Sequence, residues 1–425
     1  MEQSMYALKG NIIYSKSKNK IRYINNGYIV VQDGLCKGSF ENLPRKYEGI
    51  KINDYGDKII IPGLVDLHMH APQYVNTGLG LDLELLDWLN QFTFKEEAKF
   101  KNIEYAKKAY QKFVQDLKYS TTTRAVIFAS VHVEATKLLM QMLEEAHISA
   151  FVGKVNMDRN SPDILIEESA KKSVEDTEKW IRDTINKYDN VKPILTPRFV
   201  PSCSDELMEQ LRELQSKYKL PLQSHLSENK SEIEWVKNLH PECESYGMVY
   251  DKYGMFGQNT ATIMAHCIYL TKEEKQLMRD RNIYIAHCPS SNINLSSGIA
   301  PIRELLELGI HIGLGSDISA GHKVSIFDAM SKAIEVSKLY WRYIDDTKKN
   351  ISVEEAFYLG TRGGGEFFGK VGAFEDGYEF DAIVLDDKRL EVTYELTLYE
   401  RLQKLIFLSD EREVFDKYVC GIKIL

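Results

Sequence analysis

Residues 61–74 read IPGLVDLHMHAPQY. An apolar run carrying Pro62 and Gly63 ends in two histidines, His68 and His70, separated by one methionine. The whole chain holds only 10 histidines, so this spacing asks for a cause. On a strand, residues two apart project to the same face, which points both imidazoles one way. Two such rings suit one divalent metal, since zinc takes nitrogen ligands at about 2.0–2.1 Å. The pair could equally be satisfied by backbone carbonyls, so any metal site has to be completed from elsewhere in the chain.

Working outward, short apolar runs alternate with longer amphipathic stretches. The runs are IIIPGLVDLH, STTTRAVIFA, ISAFVGKVN, VKPILTPRF, LPLQSHLSE, ATIMAHC, NIYIAHCPSSN and IHIGLGSD. Between them lie charged, helix-like segments such as SVEDTEKWIRDTINKY and TKEEKQLMRDR. Eight β-then-α units predict an α/β fold, a (β/α)8 TIM-like barrel over residues 67–367. A doubly wound open sheet is the alternative, but no G-x-G-x-x-G follows the first run. Residues 1–66 read as short strands and turns, with N-G and D-G pairs that fit hairpins. Residues 368–425 return to that texture, so both chain ends are expected to build one small β-sandwich domain.

Composition narrows the function. The 425 residues carry a net charge of −8, which disfavours non-specific binding to nucleic acid or anionic membranes. No apolar stretch approaches the roughly 20 residues of a spanning helix, and MEQSMYALKG lacks the pattern of a secretory leader. Six scattered cysteines with no C-x-x-C pair fit reduced thiols, and the expected location is cytoplasmic. Cys267 follows His266 and Cys288 follows His287; on a strand each cysteine would face away from its histidine.

In a barrel of this kind chemistry sits at the C-terminal strand ends. Those ends hold His68 and His70, Arg198, His225 and Glu228, His266, His287, and Asp317. His225 and Glu228 in SHLSE would place a carboxylate beside a metal ligand, where it could shuttle protons to and from an activated water. Asp317 in GLGSD could be a further ligand and a base. His266 could ligate the metal or hold the water, and His287 is read as a supporting or purely structural group. HVE at 132–134 matches half of a zinc-deaminase signature, but the P-C-x-x-C that completes it is missing, so His132 and Glu134 are read as a helix start. His147, His240, His311 and His322 lack motif context.

P-G-x-V-D-x-H-x-H on the first run, histidines on the fifth and sixth and an aspartate on the eighth resemble the amidohydrolase superfamily over nearly the whole chain. Within it the pattern is similar to the mononuclear purine and pyrimidine deaminase branch. Two-metal members carry a bridging lysine on the fourth strand; KPILTPRF has Arg198 there, and Lys154 falls one run too early. HAPQY, LLDWLNQFTF, FVGKVNMD, TPRFVPSCSDELM, QSHLSE, MAHCIYL, IAHCPSSN and IGLGSD are similar to the guanine-acting members.

The resemblance implies one zinc per chain, with iron also compatible, held by His68, His70, His225 and Asp317. It makes Glu228 the proton shuttle and His266 the partner of the attacking water. It puts Gln73, Arg198 and Phe199 on a purine base, and it implies a homodimer. Val200 departs from the serine expected after Arg-Phe. Arginine only donates hydrogen bonds, which suits the O6 and N7 acceptors of guanine and not the amino group of adenine. The expected reaction is hydrolysis of guanine to xanthine and ammonia. The competing readings are an aminohydrolase of another purine, a pterin or a triazine, and a silent barrel serving as a scaffold.

Overall fold

A computed structural model describes residues 5–425. All eight expected strands are present and parallel. Leu64–His70, Thr122–Phe128, Ser149–Gly153 and Val191–Pro193 pair in that order in one four-stranded sheet. Leu222–Leu226, Thr262–His266, Tyr284–His287 and His311–Leu314 form a second. These strands are buried almost throughout, which is why they read as continuous apolar runs without alternation.

The two sheets meet at both edges through backbone hydrogen bonds. At one junction Gln223 N donates to Leu195 O (3.0 Å) and Leu195 N to Pro221 O (2.9 Å). At the other Asp317 N donates to His68 O (2.8 Å) and His70 N to Ile318 O (3.0 Å). The second junction therefore joins the segment of His68 and His70 directly to that of Asp317. The fold is TIM-barrel-like with an additional sheet domain.

Helices pack outside the strands. In Ala170–Thr184 the buried positions 170, 173, 177, 180, 181 and 184 mark one helical face, and the Ser169 side chain caps the start. The HVE segment behaves as expected: the helix Val133–Glu145 begins directly after His132. Among the described residues no helix is long and apolar enough to cross a membrane.

The chain ends depart from expectation. They form a single seven-stranded sheet instead of a β-sandwich. The cause is Lys51–Pro62, which pairs in parallel with Met5–Ser17 on one side and antiparallel with Ala382–Leu385 on the other. The two ends are thus joined edge to edge. The boundary expected after residue 66 falls inside the strand Leu64–His70. The apolar run is two strands in two sheets, broken at Gly63, where a Cβ would stand 2.1 Å from Thr123 Oγ1. The D-G pair makes a turn, with Asp33 and Gly34 both at positive φ between Lys20–Gln32 and Leu35–Phe40. The Asn26-Gly27 pair does not; it lies within the strand Lys20–Gln32, beside a register shift at Gly10/Ile12.

Candidate active site

His68, His70, His225, His266, Glu228 and Asp317 all come together at the strand ends, and all are buried. His70 Nε2 lies 3.2 Å from His225 Nε2. Asp317 Oδ1 lies 3.2 Å from His68 Nε2 and 3.6 Å from His70 Nε2. A tetrahedral ion with ligands at about 2.0–2.1 Å holds neighbouring ligand atoms roughly 3.3 Å apart, and these spacings match.

The protonation pattern agrees with a metal. His225 Nδ1 sits 2.6 Å from the Arg198 carbonyl, so that nitrogen donates and Nε2 offers its lone pair to the cluster. Burial, with His68 adding to it, drives the His70 and His225 rings well below the ordinary imidazole value and keeps them neutral. Burial alone would raise the Asp317 carboxyl, but His68 overrides it and holds the group ionised. Among the described residues, the buried Nε2 atoms of His68 and His266 have no hydrogen-bond partner. Three imidazoles, two of them kept neutral by burial, facing one carboxylate fit a divalent cation.

Next to this cluster, His266 Nε2 lies 3.4 Å from Glu228 Oε2 and 3.8 Å from Asp317 Oδ2. Its Nδ1 lies 2.9 Å from Asn292 Oδ1, which sets the tautomer that turns Nε2 toward the two acids. Burial first, then the Asp317 charge, pushes the Glu228 carboxyl well above the usual range. Ser297 Oγ donates to Glu228 Oε1 at 3.3 Å. The backbone aims these groups: Ser227, His266 and Asp317 all adopt positive φ, so the chain turns sharply where the fifth, sixth and eighth strands end.

A cavity opens over the cluster, lined by His70, His225, Glu228, His266 and Asp317 together with Gln73, Arg198 and Phe199. Leu85, Trp88, Leu89, Leu295 and Ala320 supply apolar walls. Such a mixture of apolar walls and few convergent polar groups is the usual make-up of a small-molecule site. Arg198 Nη1 donates to Glu97 Oε2 at 2.6 Å, and Gln73 Nε2 donates to Glu97 Oε1 at 2.9 Å.

Sequence reasoning did not single out Glu97, Glu232, Asn292 or Trp88. Glu232 Oε2 accepts from Glu228 N (3.0 Å) and Asn229 N (3.3 Å), fixing the turn that carries Glu228. The N-x-x-E spacing from Asn229 to Glu232 was the available signal, since it forms a capping box. His287 is buried, and neither of its ring nitrogens has a hydrogen-bond partner among the described residues. Cys288 faces inward beneath the site, within 4.8 Å of the His266 and Asp317 ligand atoms, while Cys267 packs outward in the apolar core. Lys154 is fully buried in an ion pair with Glu167.

The chain belongs to the amidohydrolase family, whose model matches residues 59–421. Its relatives within that family include several guanine deaminases. The guanine deaminase of Dictyostelium discoideum is 38% identical, with 98% of this chain and 97% of that protein aligned. The human guanine deaminase is 38% identical over 87% of this chain and 83% of its own length. The crystal structure of guanine deaminase from C. acetobutylicum with guanine in its active site superposes with a TM-score of 0.97, at 50% identity over 99% of this chain and all (100%) of that one.

Proposed function

We propose that this chain is a guanine deaminase, a hydrolase that converts guanine and water to xanthine and ammonia. The observation that carries the reading is the convergence of three histidine Nε2 atoms and Asp317 Oδ1 beside a buried, high-pKa glutamate. The choice of guanine is supported by the 50% identical structure that holds guanine.

His68, His70, His225 and Asp317 would hold one zinc ion, with iron suited to the same donors. Such a metal, when bound, supplies the Lewis acidity that makes water a nucleophile near neutral pH. Asp317, ionised, accepts a proton from the attacking water through the oxygen nearer His266, and His266 holds that water in line. Glu228, kept protonated by burial, delivers its proton to the ring nitrogen beside C2. Asp317 then passes the proton it took from water to the departing amine, and Glu228 recovers a proton from the C2 hydroxyl as that becomes the carbonyl. Phe199 and Trp88 cover the ring, and Arg198 donates to its acceptors. No cysteine or serine is needed as nucleophile.

The closing hydrogen bonds at Leu195 and His68 support a complete eight-stranded barrel around this centre. A homodimer and a cytoplasmic location complete the reading; sedimentation of the purified chain checks the first. Ammonia release measured over guanine, adenine, cytosine, a pterin and an aminotriazine tests the substrate. Guanine is expected to be turned over fastest, and another best substrate would overturn that assignment while leaving an aminohydrolase.

A further inference from the structure

Glu97 lies behind the cavity wall and touches neither the metal cluster nor the open space, yet two wall residues end on it. It is buried, and each of its oxygens takes one bond: Oε2 from Arg198 Nη1 at 2.6 Å, Oε1 from Gln73 Nε2 at 2.9 Å. An ionised carboxylate can only accept hydrogen bonds. The end of the Gln73 amide that meets it must therefore be the NH2 group, whichever way an isolated amide would turn. That leaves Gln73 Oε1, buried and without a partner among the described residues, on a residue that lines the cavity. The same carboxylate cancels the charge of Arg198, which otherwise faces the cavity as a lone buried cation beside Phe94, 5.1 Å from that ring's centroid.

We propose that Glu97 is the positioning residue that sets specificity, by locking Gln73 as a hydrogen-bond acceptor and neutralising Arg198 so that the cavity takes an uncharged base. This inference rests on the guanine reading and refines it. The ligand it selects is a neutral, planar heterocycle that presents an N–H to Gln73 and an acceptor to Arg198. Purine anions and phosphorylated bases are disfavoured, because Arg198, the one Lys or Arg in the wall among the described residues, already has its counter-charge.

Glu97→Gln tests both halves. A glutamine at 97 can donate as well as accept, so the Gln73 amide is free to turn, and Arg198 loses its counter-charge. With the metal-loaded enzyme, KM for guanine is expected to rise about 10- to 100-fold while kcat changes by less than about threefold. Inhibition by an anionic oxopurine is expected to strengthen while inhibition by a neutral guanine analogue weakens. Opposite signs for the two inhibitors cannot come from general damage to the fold. If both weaken together, or KM is unchanged, the proposal is overturned. Should E97Q fail to fold, Gln73→Ala removes the acceptor from the other side. It is expected to give a similar KM rise at near-constant kcat, and an unchanged KM would overturn the proposal. If the wild type does not turn over guanine at all, the functional reading fails. Calorimetric binding of the neutral and anionic purines to wild type and E97Q would then still decide the role of Glu97.

Discussion

Glu228 stands where a proton has to change hands twice, and its surroundings fit it for that. Burial and the nearby Asp317 charge favour the protonated carboxyl, the form that can donate to a ring nitrogen. Since that pKa is raised, the donor is present at low pH and is lost as pH rises through the folded value. A basic limb in kcat/KM is therefore expected in the wild type. Glu228→Gln should keep its metal and lose about 10²- to 10⁴-fold in kcat; metal analysis and turnover on one preparation check this, and near-normal kcat would remove Glu228 from the mechanism. The two imidazoles that burial keeps neutral make a separate prediction. His70 and His225 remain unprotonated well below the roughly 6.5 of a free imidazole, so metal should stay bound at about pH 5.5. Loss of metal as pH falls through 6.5 would contradict the cluster's protonation pattern. Glu228 was legible in the sequence because it follows His225 at a strand tip. Glu97 was not, because FKEEAKF reads as a solvated helix and only the tertiary fold turns Glu97 onto Arg198 and Gln73.

At the scale of elements, strand ends do the positioning. The eight apolar runs were readable because parallel strands covered on both faces lose their alternation. What local pattern could not give was the break at Gly63, which depends on Thr123 of a neighbouring strand, or the bulge at Asn26-Gly27, which depends on register with Met5–Ser17. Helix ends hold a further case. Lys417, fully buried on the strand Val414–Val419, donates to the carbonyls of Leu117 (3.0 Å), Lys118 (3.2 Å) and Ser120 (3.0 Å). It closes the C-terminus of the helix Ile103–Tyr119 with a residue some 300 positions away. Lys417→Met would leave those carbonyls without this partner and is expected to cost about 1–3 kcal/mol, read as a lower midpoint in denaturant. A midpoint within error of the wild type would show that solvent satisfies this helix end.

Across the whole molecule, the proposed metal ligands come from both four-stranded sheets. His68 and His70 belong to the first, and His225 and Asp317 to the end of strands of the second. A metal held there stabilises the folded state by mass action, so stripping it with a chelator should lower the melting temperature by several degrees. An unchanged melting temperature, with metal loss verified, would argue against a load shared by the two sheets. The added sheet is tied to the same body through buried Arg124, which pairs with Asp381 (2.5 Å) and Glu379 (2.7 Å). Repetition made the α/β body legible from sequence. The single sheet was misread as a sandwich because its central pairing, Lys51–Pro62 with Ala382–Leu385, joins segments about 320 residues apart.

Metal-dependent deamination of guanine is tested most directly by ammonia release from guanine with metal content measured on the same sample. Turnover is expected to be proportional to metal, approaching one ion per chain, abolished by chelation and restored by zinc or iron. Full turnover in a metal-free sample, or no turnover of guanine in a fully loaded one, would contradict it.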